Sequence, residues 1–277
     1  MAKTYPPPLQ PELAVSIITR FLKEELEKTG FGRFVVGLSG GVDSALSCAL
    51  AARAVGPQRV LAVKMPYRLS DPRSERDADA VAALLGVPSI RVDISPMVDA
   101  YFEGEGEATP LRRGNFMARV RMAVLFDRSA REKALVLGTS NKTELLLGYG
   151  TWYGDMASSL NPIGDLYKSH VWQLGAHLGL PREVLEKPPS ADLWQGQTDE
   201  GEMGLTYAEA DAVLYLLVDE RHTVEEAAAA TGYPLSRVQS ILARVEASQF
   251  KRRLPVIPKL THRTVGIDFR YPRDWGR

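Results

Sequence analysis

Arg33-Phe34-Val35-Val36-Gly37-Leu38-Ser39-Gly40-Gly41-Val42-Asp43-Ser44 decides how this chain folds. Residues 34–38 form an apolar run of strand length, and Ala45-Leu-Ser-Cys-Ala-Leu-Ala-Ala-Arg-Ala54 beyond the turn reads as a helix. A buried strand of a parallel sheet that turns through glycines into a helix makes an anion site. The free N–H groups and the helix dipole point at whatever occupies the turn. Gly40 and Gly41 let phosphate oxygens approach the backbone, while Ser39 and Ser44 add hydroxyl donors. The turn is not the common phosphate loop, because no Gly-Lys-Ser/Thr occurs in the chain. In place of that loop's lysine stands Asp43, and a carboxylate beside phosphates needs a bridging cation. Mg²⁺ takes one or two carboxylates with phosphate oxygens, so Asp43 is a candidate ligand. The alternative is a solvated turn with an acidic residue at a helix start, which the dipole also favours.

Outward from this loop, apolar runs recur at 60–65, 90–94 and 135–138, separated by helical segments at about 44–55, 74–86 and 114–131. The alternation predicts an α/β fold, a mostly parallel sheet with helices on both faces. Ligands of such sheets bind at the carboxyl ends of the strands. The 39–44 loop, Lys64-Met65-Pro66 and Gly138-Thr139 all fall there. A helix over 11–28 precedes the sheet. Residues 141–165 read as largely irregular, with a short helix after Asn141, and 167–179, 206–219, 223–231 and 234–249 read as helices. A single domain over 1–277 is expected, with a core at about 30–205 and a helical C-terminal extension at about 206–277.

The 277 residues carry 34 Lys+Arg against 34 Asp+Glu, so no global charge attracts nucleic acid or a membrane surface. Short basic clusters, Arg112-Arg113 and Lys251-Arg-Arg253, suit a small polyanionic ligand better. Cys48 is the only cysteine, which excludes an intrachain disulfide and a cysteine-based zinc site. Its neighbours Leu46, Ala49 and Leu50 mark it as a core residue. No signal-peptide core and no run of 18 apolar residues is present, so a cytoplasmic protein is expected.

Four further segments carry chemistry. Residues 114–126 are apolar around most of a helix, which predicts burial or a subunit interface. Arg119 and Arg121 lie in it two apart, and a buried arginine there needs an anion, either a carboxylate or a ligand phosphate. Glu144 opens a short helix at the sheet edge that holds the glycine loop. It is either a second ligand to a cation shared with Asp43 or a plain helix N-terminal charge. Lys168 stands where a loop enters a helix, as a point charge for phosphates or a surface lysine. Ser190-Ala-Asp-Leu-Trp-Gln-Gly-Gln-Thr-Asp-Glu200 has the composition of an active-site lid.

S-G-G-x-D-S resembles the pyrophosphate loop of the ATP pyrophosphatases. Within that group the chain resembles the NAD synthetases, through S-G-G-V-D-S, G-N-F-M-A-R-V-R-M, G-T-S-N-K-T-E-L-L-L-G-Y, Y-G-D, the lysine of L-Y-K, P-S-A-D-L-W-x-G-Q-T-D-E and K-R-R-L-P. The resemblance spans about residues 30–255 and implies the adenine-nucleotide α-hydrolase-like fold. It implies amidation of deamido-NAD to NAD through an acyl-adenylate, with ATP as co-substrate and ammonia as nitrogen donor. Gly37, Leu38, Ser39, Gly40, Gly41, Val42, Asp43, Ser44, Lys64, Thr139, Lys168 and Ser190 would contact ATP. Arg119, Glu144, Trp152 and Lys251 would contact deamido-NAD, and Asp43 and Glu144 would hold Mg²⁺. Asp43, Glu144 and Lys168 would be the catalytic set.

A homodimer with the dinucleotide bound across its interface is also implied. Trp152 and Ser159 stand where the ammonia-dependent bacterial pattern has a lysine and an aspartate, and Phe250 replaces a histidine. These variants look closer to the synthetase portion of glutamine-dependent members. A nitrilase-type glutaminase has no room before residue 30, so free ammonia or a separate glutaminase subunit is the expected nitrogen source. The alternative within enzymes is another ATP pyrophosphatase, such as a GMP synthetase lacking its glutaminase. A nucleotide-binding regulatory protein is the alternative outside them.

Overall fold

The computed structural model describes residues 4–194 and 196–269. Helix α1 (Pro11–Thr29) leads into β1 (Arg33–Gly37), and α2 (Val42–Val55) comes after the glycine turn. The chain continues through β2 (Val60–Lys64), α3 (Pro72–Leu85), β3 (Ser89–Arg91), α4 (Ser95–Phe102), α5 (Pro110–Glu132) and β4 (Ala134–Leu137). The four strands form one parallel sheet in the order β3-β2-β1-β4. β2 and β3 step away from β1 on one side, and β4 is laid on the other. The connections therefore diverge between β1 and β4, where parallel sheets place their ligands.

Both faces of the sheet are covered, as the alternation of elements predicts. Phe34, Val36, Val60 and Ala62 pack with α1, α2 and α3 on one face. Val35, Val63 and Ala134 meet Val124 and Leu125 of α5 on the other. Complete burial of a side chain such as Phe34 is worth about 1.5–3 kcal/mol, so the sheet interior dominates the core.

Several boundaries differ from the sequence reading, each for a local reason. β3 stops at Arg91, because Asp93 turns its carboxylate to the Ser95 N–H, 2.9 Å away, and so starts α4. α5 begins at Pro110, where Thr109 caps the Arg112 N–H and proline fits the first turn. The apolar sequence of α5 is not wholly buried. Met117 is enclosed and Phe116 stacks on Tyr101, but Leu111 and Phe126 are exposed.

Beyond β4, α6 (Lys142–Leu147) and α7 (Lys168–His177) flank the open end of the sheet, and α8 (Arg182–Glu186) and α9 (Asp199–Met203) come next. α10 (Tyr207–Leu214), α11 (Val224–Thr231) and α12 (Leu235–Ala247) then build a second apolar cluster with Leu147, Tyr167, Met203 and Leu205. α10 ends in a single π turn at Tyr215–Asp219, where the sequence pattern predicts an unbroken helix over 206–219. The C-terminal extension is helical only as far as Arg252, because Pro255 and Pro258 cannot continue a helix. Its last residues, 270–277, lie outside the described residues. Among the described residues no helix is long and apolar enough to cross a membrane.

Candidate active site

The glycine turn is built by its own side chains. Ser39 N–H donates to Ser44 Oγ at 3.2 Å, Ser44 Oγ donates to the Gly41 carbonyl at 3.0 Å, and the two hydroxyls lie 3.1 Å apart. Gly40 sits at φ +79°, and a Cβ there would come within 2.2 Å of the Ser74 carbonyl oxygen. α3 therefore packs directly on the loop, and only glycine allows it. Gly41 precedes α2 in extended conformation with no side-chain cap, which leaves the helix N-terminus open toward a ligand.

On the other side of the divergence point, Asn141 joins the two loops. Its Oδ1 accepts from the Glu144 N–H at 3.0 Å and its N–H donates to Glu144 Oε2 at 3.2 Å, closing a capping box at the start of α6. Its Nδ2 donates to Asp43 Oδ1 at 2.9 Å. Asn141 is absent from the residues expected at the site, although N-x-x-E is a readable helix-start signal.

Lys168 is no surface residue. It is 1 % exposed, with Nζ 2.5 Å from Asp43 Oδ2 and 3.7 Å from Glu144 Oε1, and it faces the rings of Tyr207 and Trp172. Thr143 and Asp211 fix its backbone. The Lys168 N–H donates to Thr143 Oγ1 at 3.1 Å, Thr143 donates to Asp211 Oδ1 at 2.5 Å, and the Ser169 N–H donates to Asp211 Oδ2 at 2.8 Å. Burial works against the ammonium, but Asp43 and Glu144 outweigh it and raise its pKa. Burial, then the charge of Asp43, pushes the Glu144 carboxyl up to about 8. Removing one partner of such a buried pair costs about 3–5 kcal/mol, so the three side chains stand or fall together.

Asp43, Glu144 and Lys168 thus converge at the mouth of the glycine turn. Two hard oxygen ligands facing a phosphate loop suit Mg²⁺, which takes few protein ligands and completes its shell with phosphate and water. Among the described residues no cluster of three His, Cys, Asp or Glu side chains is arranged to hold a metal.

Arg119, Trp152 and Lys251 gather around residues 148–152. Arg119 is exposed and donates to the Trp152 carbonyl at 3.2 Å. Lys251 donates to the Gly148 and Gly150 carbonyls at 2.7 Å each, and burial lowers its pKa. The Trp152 ring meets Phe250 edge-on at 5.4 Å. Arg121, not Arg119, is the arginine that burial destabilises, and its Nε donates to the Met65 carbonyl at 3.1 Å. Thr139 lies half-buried at the end of β4. The Lys64 ammonium pairs with Asp79 and Glu75 of α3, and Ser190 is exposed, its Oγ accepting from the Asp192 N–H. Tyr149, Asp199, Tyr207 and Asp211 also reach the site or its supports; Tyr149 and Asp199 lie inside quoted motifs without being expected at the site, and no motif flags Tyr207 or Asp211.

Comparison with known proteins gives the family and the fold. The family profile described as NAD synthase matches residues 14–255. An NH(3)-dependent NAD(+) synthetase of Trichlorobacter lovleyi is 58 % identical over 266 residues, which is 96 % of this chain and 97 % of that one. A protein of the same name from Chlorobium phaeovibrioides is 53 % identical, covering 95 % of each. Among solved structures, the NH3-dependent NAD synthetase from Campylobacter jejuni in complex with the nitrate ion superposes with a TM-score of 0.77. It shares 33 % identity and covers 91 % of this chain and 100 % of that one. An NMN synthetase from Francisella tularensis gives 0.78 at 32 % identity, covering 90 % and 99 %. With most of its length matched in sequence and in fold, this chain belongs to the NAD synthase family.

Proposed function

We propose that this chain amidates deamido-NAD to NAD, consuming ATP and using ammonia as the nitrogen donor. The observation that carries the reading is the convergence of Asp43, Glu144 and Lys168 on an open helix N-terminus beside the glycine turn. In the first half-reaction a carboxylate oxygen of the nicotinate attacks the α-phosphorus of ATP. The α–β bridging P–O bond breaks and pyrophosphate leaves. In the second, ammonia attacks the acyl carbon, loses a proton, and AMP departs with the electron pair of the broken C–O bond.

The protein's task is to position and to neutralise charge. The N–H groups at the start of α2, with Ser39 and Ser44, receive the phosphates. Lys168, held by Asp211 and Thr143, presents a fixed cation to the departing pyrophosphate. Mg²⁺ held by Asp43 and Glu144 supplies further charge neutralisation at the phosphates when bound. Arg119, Trp152 and Lys251 provide two cations and a ring for the dinucleotide. The segment 190–204 keeps water from the reactive acyl-adenylate. We further infer a homodimer acting in the cytoplasm, with Leu111 and Phe126 of α5 in the interface.

The test is pyrophosphate release with ammonium salts and deamido-NAD, nicotinate mononucleotide or XMP offered separately. Release with deamido-NAD alone supports the reading. Preference for the mononucleotide would move the chain toward the activity named for its Francisella relative, and preference for XMP would overturn the assignment.

A further inference from the structure

A second polar network touches Glu144, and the adenylation chemistry makes no use of it. Tyr207 opens α10 and is almost wholly enclosed. Its hydroxyl lies 3.2 Å from Glu144 Oε1 and 3.0 Å from Asp199 Oδ2. Tyr149 makes a second bridge, its hydroxyl 3.0 Å from Asp199 Oδ1 and 2.6 Å from Glu202 Oε2. Gln197 extends the chain by donating to Glu202 Oε2 at 3.0 Å and accepting from the Leu193 N–H at 2.8 Å. Two tyrosines thus connect a carboxylate at the phosphate site with two carboxylates of α9.

The network's ends are anchored differently. Glu144 Oε2 is fixed from within α6, by the Asn141 N–H. Its Oε1 has Lys168 at 3.7 Å and the Tyr207 hydroxyl at 3.2 Å, so Tyr207 is its close partner. Asp199, in contrast, is placed by how the lid-like segment sits. Its N–H donates to the Pro189 carbonyl, Glu200 accepts from the Tyr207 N–H, and Asp192 accepts from the Asp71 N–H. Leu193 packs against Gly114, where a Cβ would meet it at 2.8 Å. The Tyr207 hydroxyl has a single proton, so its two contacts are one donation split between Glu144 and Asp199, and that geometry holds only while both acceptors are in place.

We propose that Tyr207 is a positioning residue: it ties Oε1 of Glu144 to Asp199, so that seating of the segment carrying Asp199 and alignment of the Glu144 carboxylate are one event. The proposal rests on the reading of Glu144 as part of the reacting centre. It gives the segment a role beyond excluding water, because an unseated segment would leave Glu144 held at one oxygen only.

Tyr207→Phe keeps the ring that packs in the second apolar cluster and faces Lys168, and removes only the hydroxyl. The expected result is a kcat about tenfold lower with KM for deamido-NAD changed less than about twofold, the scale of one lost hydrogen bond to a charged group. Asp199→Asn should give the same split, and the double variant should be no slower than the slower single one. Unchanged kcat, or losses that multiply in the double variant, would overturn the proposal. A readout without substrate separates this from the functional reading. In the ligand-free protein, hydrogen exchange over 142–147 should quicken in Asp199→Asn, although Asp199 lies in a different helix. Unaltered exchange there would also overturn the coupling, whatever the substrate proves to be.

Discussion

Glu144 shows how one side chain's chemistry is set by where the chain buries it. Its carboxyl is raised from an ordinary 4.5 to about 8, first by burial and then by Asp43, while Lys168 pulls the other way. A carboxyl with a raised pKa binds its proton more tightly folded than unfolded. Its contribution to stability is present below about pH 4.5 and is lost as pH rises toward about 8. The raised pKa of Lys168 acts in the same sense, but its contribution is lost only above its ordinary 10.5, outside that window. Ligand-free Glu144→Gln should therefore gain melting temperature relative to the parent as pH is raised from 5 to 8.5. Thermal melts of both proteins across this range decide it, and a difference that stays flat with pH would refute it. ATP turnover in the same variant should be lost, because neutral Gln cannot supply the second anionic oxygen.

The strand–turn–helix unit around residues 33–55 was the most legible element, since strand, glycines and helix are contiguous in sequence. The parallel sheet came from the alternation of apolar runs, and Asp43, Glu144 and Lys168 from the motifs that carry them. The supports of the site were not legible. Tyr207 and Asp211 reach α6 and α7 from α10, and nothing local in Leu205-Thr-Tyr-Ala-Glu-Ala-Asp211 announces those contacts. Lys168 reads as easily for a surface residue, because its ion-pair partner Asp43 is 125 residues away in sequence. Gly40 is the element-scale test. At φ +79° and 2.2 Å from a backbone oxygen of α3, an added Cβ strains the turn and pushes α3 away. Gly40→Ala should cost about 1–3 kcal/mol in chemical denaturation and abolish pyrophosphate release. Gly32→Ala, with open space around its Cβ, should stay within about 0.5 kcal/mol. Equal behaviour of the two variants would mean that the close approach of α3 does not matter.

At the scale of the whole molecule, two properties concern what the chain meets outside itself. α5 buries Met117 and packs Val124 on the sheet, but Leu111 is 64 % exposed and Phe126 39 %. Leaving such side chains in water forgoes about 1.5–3 kcal/mol for each one that an interface would enclose. Sedimentation at micromolar concentration should find a dimer, and Leu111→Glu with Phe126→Glu should shift it to monomer; a parent protein that sediments as monomer would refute the interface. The nitrogen donor is the other property. Hydrolysing glutamine requires an activated nucleophile, usually a thiolate with a base beside it. Cys48 is the only thiol in the sequence, is fully enclosed in α2, and is pushed up to about 12 by burial. Such a thiol stays protonated at neutral pH and is closed to solvent. The purified chain should therefore form NAD with ammonium salts and make almost none with glutamine in ammonia-free buffer. Cys48→Ala should leave the ammonium-supported rate within about twofold, since a small buried side chain exchanges one packing residue for another. Comparable rates with glutamine and ammonium, abolished by Cys48→Ala, would overturn this view. If glutamine becomes a donor only when a second protein is added, ammonia is delivered by a separate subunit, and the synthetase site around Asp43, Glu144 and Lys168 keeps its role.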